Sequence, residues 1–304
     1  MNFVKIMRPW HWTKNVFVFA ALIFGKKLFG PIDEVLISMG SALGAFFCFC
    51  LAASGIYIFN DIVDRDSDRL HPEKSKRPIA SGQVPVPSAI ILAVICFLAA
   101  IVGSFLLTDT LAFIIIVYIV LMIIYSLIFK HVMILDCIII SIGFCLRAVA
   151  GAVVIGADIS TWLIVCTFAL CLFLGFSKRR SEIAQLGENS EAFRRTLAGY
   201  TPELLAHMLD VTSGLAIVCF LLYATDDRTI RVFGTNNLLF TTPLVLYCIF
   251  RFSALIQKGK FSGPVQLITN DRPFQFGALL WVLSCITIIY ANRLGINLNS
   301  IWAY

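Results

Sequence analysis

A bundle of membrane-spanning α-helices is the fold class this sequence predicts, and three observations carry it. Hydrophobic residues make up 59% of the 304-residue chain and charged residues only 14%, whereas about a quarter of a soluble domain is charged. The mean hydropathy is +0.89. Apolar runs recur along the chain at about the 20-residue length a helix needs to cross a bilayer. The charged residues between them gather in two stretches, 60–87 and 177–205. An all-α polytopic membrane protein is therefore expected.

Nine spanning helices are expected, over residues 7–25, 35–59, 88–107, 111–129, 134–155, 162–176, 206–223, 238–256 and 274–290. The first is interrupted by polar residues and the sixth is short for a span. Most of the 24 Lys and Arg residues fall on one side of such a topology. The positive-inside rule then places the N-terminus in the cytoplasm and the C-terminus outside, with both charged loops on the cytoplasmic face. The two loops follow the second and sixth helices, which suggests two similar four-helix halves plus a ninth helix, together forming one integral membrane domain over 1–304. No removable signal peptide is read at the N-terminus.

The ten cysteines show no C-x-x-C pairing and sit mostly in apolar runs, so they read as small core residues without a disulfide framework or zinc. His11, His71, His131 and His207 have no ligand spacing. Trp10, Trp12, Trp162, Trp281 and Trp302 flank helices as interfacial anchors are expected to. Pro243 reads as a tolerated kink, and Gly143 and Gly151 read as points of close helix packing.

Chemistry concentrates after the second helix. Asn60, Asp64 and Asp68 are spaced i, i+4, i+8, and Asp61 lies three residues before Asp64, so on a helix these oxygens share a face. Carboxylates this close repel, and the cluster makes most sense as a magnesium site formed by Asn60, Asp61, Asp64 and Asp68, with positions left open for phosphate oxygens. Lys74, Lys76 and Arg77 follow at once and suit the rest of a phosphorylated ligand. After the sixth helix stands Lys178-Arg179-Arg180 with Glu182, three cations and one carboxylate. A topological role in orienting the chain explains that charge equally well.

The pattern Asn60-Asp61-x-x-Asp64-x-x-x-Asp68 after the second of nine helices resembles the first aspartate-rich motif of the UbiA-type membrane prenyltransferases. Members of that family carry a second aspartate-rich motif after the sixth helix, and here its place is taken by the run from Gly175 to Glu182 with its basic cluster. That departure, together with Met7-Arg8-Pro9-Trp10-His11-Trp12-Thr13-Lys14-Asn15, Tyr125-Ser126, Asp136, and Gly143-Phe144-x-x-Arg147-x-x-x-Gly151, resembles the decaprenyl-phosphate phosphoribosyltransferase branch. The resemblance implies transfer of 5-phosphoribose from phosphoribosyl pyrophosphate to a polyprenyl phosphate, with magnesium as cofactor and no nucleic acid partner. Asp61, Asp64 and Asp68 would be the catalytic metal-binding carboxylates. The substrate contacts it implies are Lys14, Asn60, Lys74, Arg77, Tyr125, Lys130, Arg147, Lys178, Arg179, Arg180 and Glu182. For Arg147 and Asp136 the alternative is a structural ion pair with other helices. For Lys14, Arg77, Tyr125 and Lys130 it is the ordinary snorkelling and interfacial behaviour of such residues. Two other functions stand beside this one: a conventional prenyltransferase with a prenyl diphosphate donor and an aromatic acceptor, and a transporter, whose mark would be polar residues at midmembrane.

Overall fold

In the computed structural model the chain opens with a short helix, α1 (Asn2–Met7), and a 3-10 segment, Pro9–Phe19, that leads into α2 (Ala20–Phe24). The residues described are 2–70, 74–158, 160–186, 197, 199–261 and 263–291, so His71 and Trp302 lie outside them. Two compact units result, Met1–Asp158 and Ile159–Tyr304. Every regular element among the described residues is helical. Among the described residues eight helical stretches are long and apolar enough to cross a membrane.

That is one fewer than the nine expected. The stretch expected as a first span, 7–25, is broken into the 3-10 segment and α2 because its start is held out of the α-helical basin: Arg8 is left-handed, with φ 53° and ψ 59°, and Pro9 follows it. A 3-10 run of 11 residues is long for that conformation. It persists because its side chains are tied to a neighbour, α3 (Ile32–Val63). Trp12 donates to Ser54 Oγ at 3.1 Å and Asn15 to Cys50 Sγ at 3.2 Å. Trp12 is thus a packed donor, whereas Trp10 is exposed as an interfacial anchor should be.

The rest of the first unit comprises α4 (Arg65–Arg69), α5 (Val86–Phe105), α6 (Asp109–Leu127) and α7 (Leu135–Val154). Lipid is as apolar as a leucine side chain, so helices associate in a bilayer where small residues let them approach. The core follows that rule: Ala45, Cys48 and Ala52 of α3 pack with Ala100 of α5 and Ala150 of α7, and Phe49, Leu111, Ile115 and Tyr118 fill the larger gaps. The bulky residues of α5, Ile90, Ile91, Val94, Ile95 and Leu98, point outward.

In the second unit α8 (Thr161–Leu186) packs along α9 (Pro202–Thr225), followed by α10 (Asp227–Phe233), α11 (Thr242–Gln257), α12 (Pro264–Asn270) and α13 (Arg272–Tyr290). Helix starts are set by side-chain caps: Thr201, Asp226 and Asp271 accept from Leu204, Thr229 and Phe274 backbone N–H groups, each satisfying a donor the helix leaves orphaned. Pro243 lies in the first turn of α11, where its missing N–H costs nothing, so it makes no kink there. Trp281 packs edge-on against Phe220 at 6.2 Å and is not a flanking anchor.

The tightest approach in the first unit is at Gly151 of α7. A Cβ there would lie 1.9 Å from the Val18 carbonyl oxygen of the 3-10 segment. Gly143 has only ordinary contacts around the same position, so close packing depends on Gly151 alone of the two. Gly151→Leu is expected to force the segment off α7 and destabilise the protein by about 3 kcal/mol or more, at the upper end of overpacking costs. Gly143→Ala should change little. Thermal unfolding in detergent measures both.

Candidate active site

Thirty-two residues give α3 a length of about 48 Å, against a hydrocarbon thickness of about 30 Å. One end must leave the apolar layer, and the polar end, Asn60 to Val63, is where it does. The helical course nearly continues into α4: the Asp64 N–H donates to the Asn60 carbonyl at 2.8 Å and the Asp68 N–H to the Asp64 carbonyl at 2.8 Å. The i, i+4, i+8 spacing read from the sequence is therefore kept. Asp61 and Asp68 are buried, at 2% and 3% exposure, while the Asp64 side chain is 35% exposed.

Each carboxylate meets a cation brought from elsewhere in the chain. Asp61 Oδ1 accepts from Arg8 Nη2 at 2.6 Å and from Arg77 Nη1 at 3.1 Å. The same Arg77 nitrogen reaches Asp68 Oδ2 at 2.6 Å, and Lys130 Nζ reaches Asp64 Oδ1 at 2.5 Å. Burying a carboxylate costs several kcal/mol unless it is paired, and here the cluster is neutralised by three cations. Among the described residues no three His, Cys, Asp or Glu side chains are gathered to hold a metal ion. Asp61 and Asp68 converge on Arg77 while Asp64 turns to Lys130. The donor type nonetheless fits magnesium, a hard cation that takes carboxylate oxygens, provided the ion exchanges with these side chains.

Arg77 and Lys130 were expected at the site, and the structure brings both to the aspartates. Arg8 was not singled out. Its signal was present, a cation beside Pro9 at the edge of the bilayer, but its partner lies 53 residues away. Asn60 is half-buried, and its side chain makes no hydrogen bond among the described residues. Lys74 is half-exposed and Tyr125 is buried at the end of α6.

A second polar group lies deeper in the same unit. Arg147 of α7 is 6% exposed and donates to Asn15 Oδ1 at 2.7 Å, the Gly143 carbonyl at 2.6 Å and the Tyr118 hydroxyl at 2.8 Å. The rings of Tyr118, Phe144 and Phe49 stand 4.7, 5.2 and 5.5 Å from its guanidinium carbon. All of these partners are neutral. The structural ion pair with other helices considered for Arg147 is thus not formed among the described residues; Asp136 is fully buried on the same helix. Lys14 is half-buried, stands in the field of Arg147 and Arg8, and makes no hydrogen bond or ion pair among the described residues.

In the second unit α8 runs ten residues beyond the expected 162–176 span. Ion pairs one turn apart hold that extension: Glu182 receives Arg179 Nη1 at 2.5 Å and Lys178 Nζ at 3.8 Å. Arg179 is almost wholly buried, and Arg180 donates to the Pro202 carbonyl at the start of α9. Arg251 of α11 grips Asp271 with two nitrogens, at 2.6 and 3.0 Å. The Arg251 hydrogen bond and the Phe274 N–H hold the Asp271 carboxyl below its usual range. Its stabilising contribution is present at neutral pH and is lost as acid titrates it through that lowered value.

A polytopic helical membrane protein with a cation-neutralised aspartate cluster at the end of its longest helix is the class these features define. The chain belongs to the UbiA prenyltransferase family, whose model matches residues 16–265, and is a transferase of that type. Decaprenyl-phosphate phosphoribosyltransferase of Corynebacterium glutamicum is 33% identical over 94% of this chain and 86% of its own length. The protein of that name from Mycolicibacterium smegmatis is also 33% identical, over 94% of this chain and 92% of its own. Among solved structures, a UbiA homolog from Archaeoglobus fulgidus bound to DMAPP and Mg2+ superposes with a TM-score of 0.69, at 17% identity, over 95% of this chain and 99% of that one.

Among the described residues Arg77 is the only side chain that pairs with both Asp61 and Asp68. Arg77→Met should leave Asp68 without its ion-pair partner and cost about 2 kcal/mol or more of stability, part of which magnesium should restore by replacing the lost charge. Unfolding midpoints with and without the ion test this. No loss in the absence of magnesium would show that the pairing contributes nothing.

Proposed function

We propose that this protein transfers 5-phosphoribose from phosphoribosyl pyrophosphate to a polyprenyl phosphate, giving a polyprenyl-phosphoryl-5-phosphoribose and pyrophosphate. The observation that carries this reading is the composition of the two charged clusters. The first supplies the carboxylates of Asp61, Asp64 and Asp68 together with Arg8, Arg77 and Lys130. The second supplies Lys178, Arg179 and Arg180 against one Glu182. A prenyl diphosphate has one charged group to hold. The proposed pair has three: a pyrophosphate, a 5-phosphate and the phosphate of the lipid. The names of the relatives that are 33% identical support the same substrates.

Asn60, Asp61, Asp64 and Asp68 would hold magnesium, whose chemistry here is neutralisation of charge on a departing pyrophosphate. With the carboxylates engaged by such an ion, the guanidinium groups of Arg8 and Arg77 and the Lys130 ammonium would be free to grip phosphate oxygens, for which Arg is suited by its fork of donors. The bond from the anomeric carbon to pyrophosphate breaks with its electron pair leaving on the pyrophosphate. An oxygen of the lipid phosphate forms the new bond from the opposite face, with inversion. A phosphate monoester is already nucleophilic near neutral pH, so positioning and electrostatics supply the rate and no dedicated base is needed. The reading places the site on the cytoplasmic face of the plasma membrane with the N-terminus inside, in accord with the basic residues of loops 60–87 and 177–205.

Purified protein given radiolabelled phosphoribosyl pyrophosphate, magnesium and a panel of polyprenyl phosphates should pass label into the lipid fraction. Asp64→Asn and Asp68→Asn should each abolish this transfer while the protein still folds, as should excess chelator on the native protein. Label that never enters lipid with any acceptor, alongside turnover with farnesyl or geranylgeranyl diphosphate and an aromatic acceptor, would reassign the protein as a conventional prenyltransferase.

A further inference from the structure

Charge in the second unit is one-sided towards its end. From Arg228 onward the chain has a single acidic side chain, Asp271, and four cations, Arg251, Lys258, Lys260 and Arg272, stand around the connection between α11 and α13. Asp271 is taken up by Nε and Nη2 of Arg251, which leaves the third guanidinium nitrogen, Nη1, outside the pair. Lys258, Lys260 and Arg272 are exposed and enter no ion pair among the described residues, although Lys260 lies in the field of Asp271. Exposed cations in that number have an anion to meet.

A groove runs from this cluster along α11. Tyr247, Phe250, Arg251, Ala254, Leu255 and Lys258 line an open cavity of about 420 Å3. Their spacing of i, i+3, i+4, i+7, i+8 and i+11 makes one stripe of the helix, about 16 Å long. Polarity changes along that stripe. Tyr247 and Phe250 belong to the stretch Asn237–Gln257, which is apolar enough to cross a membrane, and Phe250 is 58% exposed. Lys258 lies just beyond the stretch, and the long side chain of Arg251 can reach towards the same end, as cations at bilayer edges do. In the connection itself α12 leaves Val265 and Ile268 exposed one turn apart, apolar side chains among cations as suits a headgroup layer. Two crossings, α9 and α11, separate this end from the basic extension of α8, so both meet one leaflet, the cytoplasmic one in the topology proposed above.

The groove therefore asks for an amphiphile, with an anionic head at the Lys258 end and hydrocarbon below. A soluble anion would meet the cations and leave Phe250 and Tyr247 uncovered. An uncharged lipid would do the reverse. The bilayer's own anionic phospholipid answers both, and at an open, lipid-facing groove it is in excess over any other amphiphile, so mass action favours it.

We propose that the groove of α11 binds an anionic diacyl phospholipid, with its phosphate between Lys258 and Arg251 Nη1, Lys260 and Arg272 at the rim, and an acyl chain along Ala254, Phe250 and Tyr247. The site shares no residue with either charged cluster assigned to transfer and stands whether or not that reaction is the right one. Bound lipid supplies the negative charge that Asp271 alone cannot.

Phosphatidylglycerol added to the full-length protein in neutral detergent micelles should raise the unfolding midpoint with the logarithm of its mole fraction. Phosphatidylcholine with the same chains should not, nor should glycerol phosphate without chains. Lys258→Gln combined with Arg272→Gln should weaken the apparent affinity roughly fivefold for each cation removed, the worth of one basic side chain at an anionic surface. Ala254→Trp places an indole in the groove from an exposed position, with no change of charge, and should abolish the shift. Both variants alter exposed positions, so their midpoints without lipid should stay near the native value. Equal shifts from phosphatidylcholine, or a phosphatidylglycerol shift that survives in either variant, would overturn the proposal. So would a shift given by farnesyl phosphate and not by phosphatidylglycerol, which would assign the groove to a single-chain lipid phosphate, or one given only by polyglutamate, which would mark a protein docking surface.

Discussion

A carboxylate buried at the end of a membrane-spanning helix has to find its counter-charge within the protein, and the first unit is arranged around how Asp61 finds it. Arg8 arrives from the N-terminal segment and Arg77 from the turn after α4, so one side chain ties together three stretches of chain that are distant in sequence. The apolar layer beneath repeats the connection. Ile6 of α1, Ile58 of α3, Ile79 and Val84 of the turn, and Ala89 of α5 form one buried cluster. Polar and apolar contacts thus enforce the same docking, and this agreement between levels is what makes a local arrangement well specified.

That docking has a conformational cost. Arg8 takes up left-handed φ and ψ, which disfavours an L-residue by about 1–2 kcal/mol, and strain of this kind persists where surrounding contacts over-determine it. The backbone reversal at Arg8 aims its guanidinium at Asp61 and starts the 3-10 segment whose next turns place Trp12, Lys14 and Asn15. At its far end the segment closes on Gly151, where the Val18 carbonyl leaves no room for a side chain. A straight α-helix over the same residues would satisfy hydropathy but would lose these placements, which accounts for the departure from a simple first span.

The readable part of this site was its local part. Asn60, Asp64 and Asp68 were legible because helical periodicity acts over four residues, and backbone bonds across Asp64 preserve it. Lys130 and Arg77 were legible through composition and resemblance. What escaped was long-range pairing. Nothing in the residues around Arg8 shows that it would meet Asp61, and nothing in hydropathy shows that α8 would continue to Leu186 through a run of charges held by Glu182. Arg147 was expected to contact substrate, yet its cage of Asn15, Tyr118 and the Gly143 carbonyl draws on three separate segments. A family resemblance supplied the list of residues; the packing of helices supplied their partners.

Charge bookkeeping explains why pairing in the resting protein and binding of an anionic ligand are compatible. In the first unit Asp61, Asp64 and Asp68 are matched by Arg8, Arg77 and Lys130, so the cluster is neutralised without an ion, and under the proposed reading each cation would pass from carboxylate to phosphate when a metal replaces it. Lys14 and Arg147 have no such carboxylates, and in the second unit Glu182 faces both Lys178 and Arg179 while Arg180 bonds a backbone carbonyl. Lys and Arg outnumber Asp and Glu by 12 to 10 over residues 1–158 and by 12 to 8 over 159–304, so positive charge remains in each unit whichever ion pairs form. A ligand with a single metal-bound diphosphate leaves that excess unanswered. Under the proposed reading the donor's second phosphate and the acceptor's third would answer it, as neutrality at low dielectric favours.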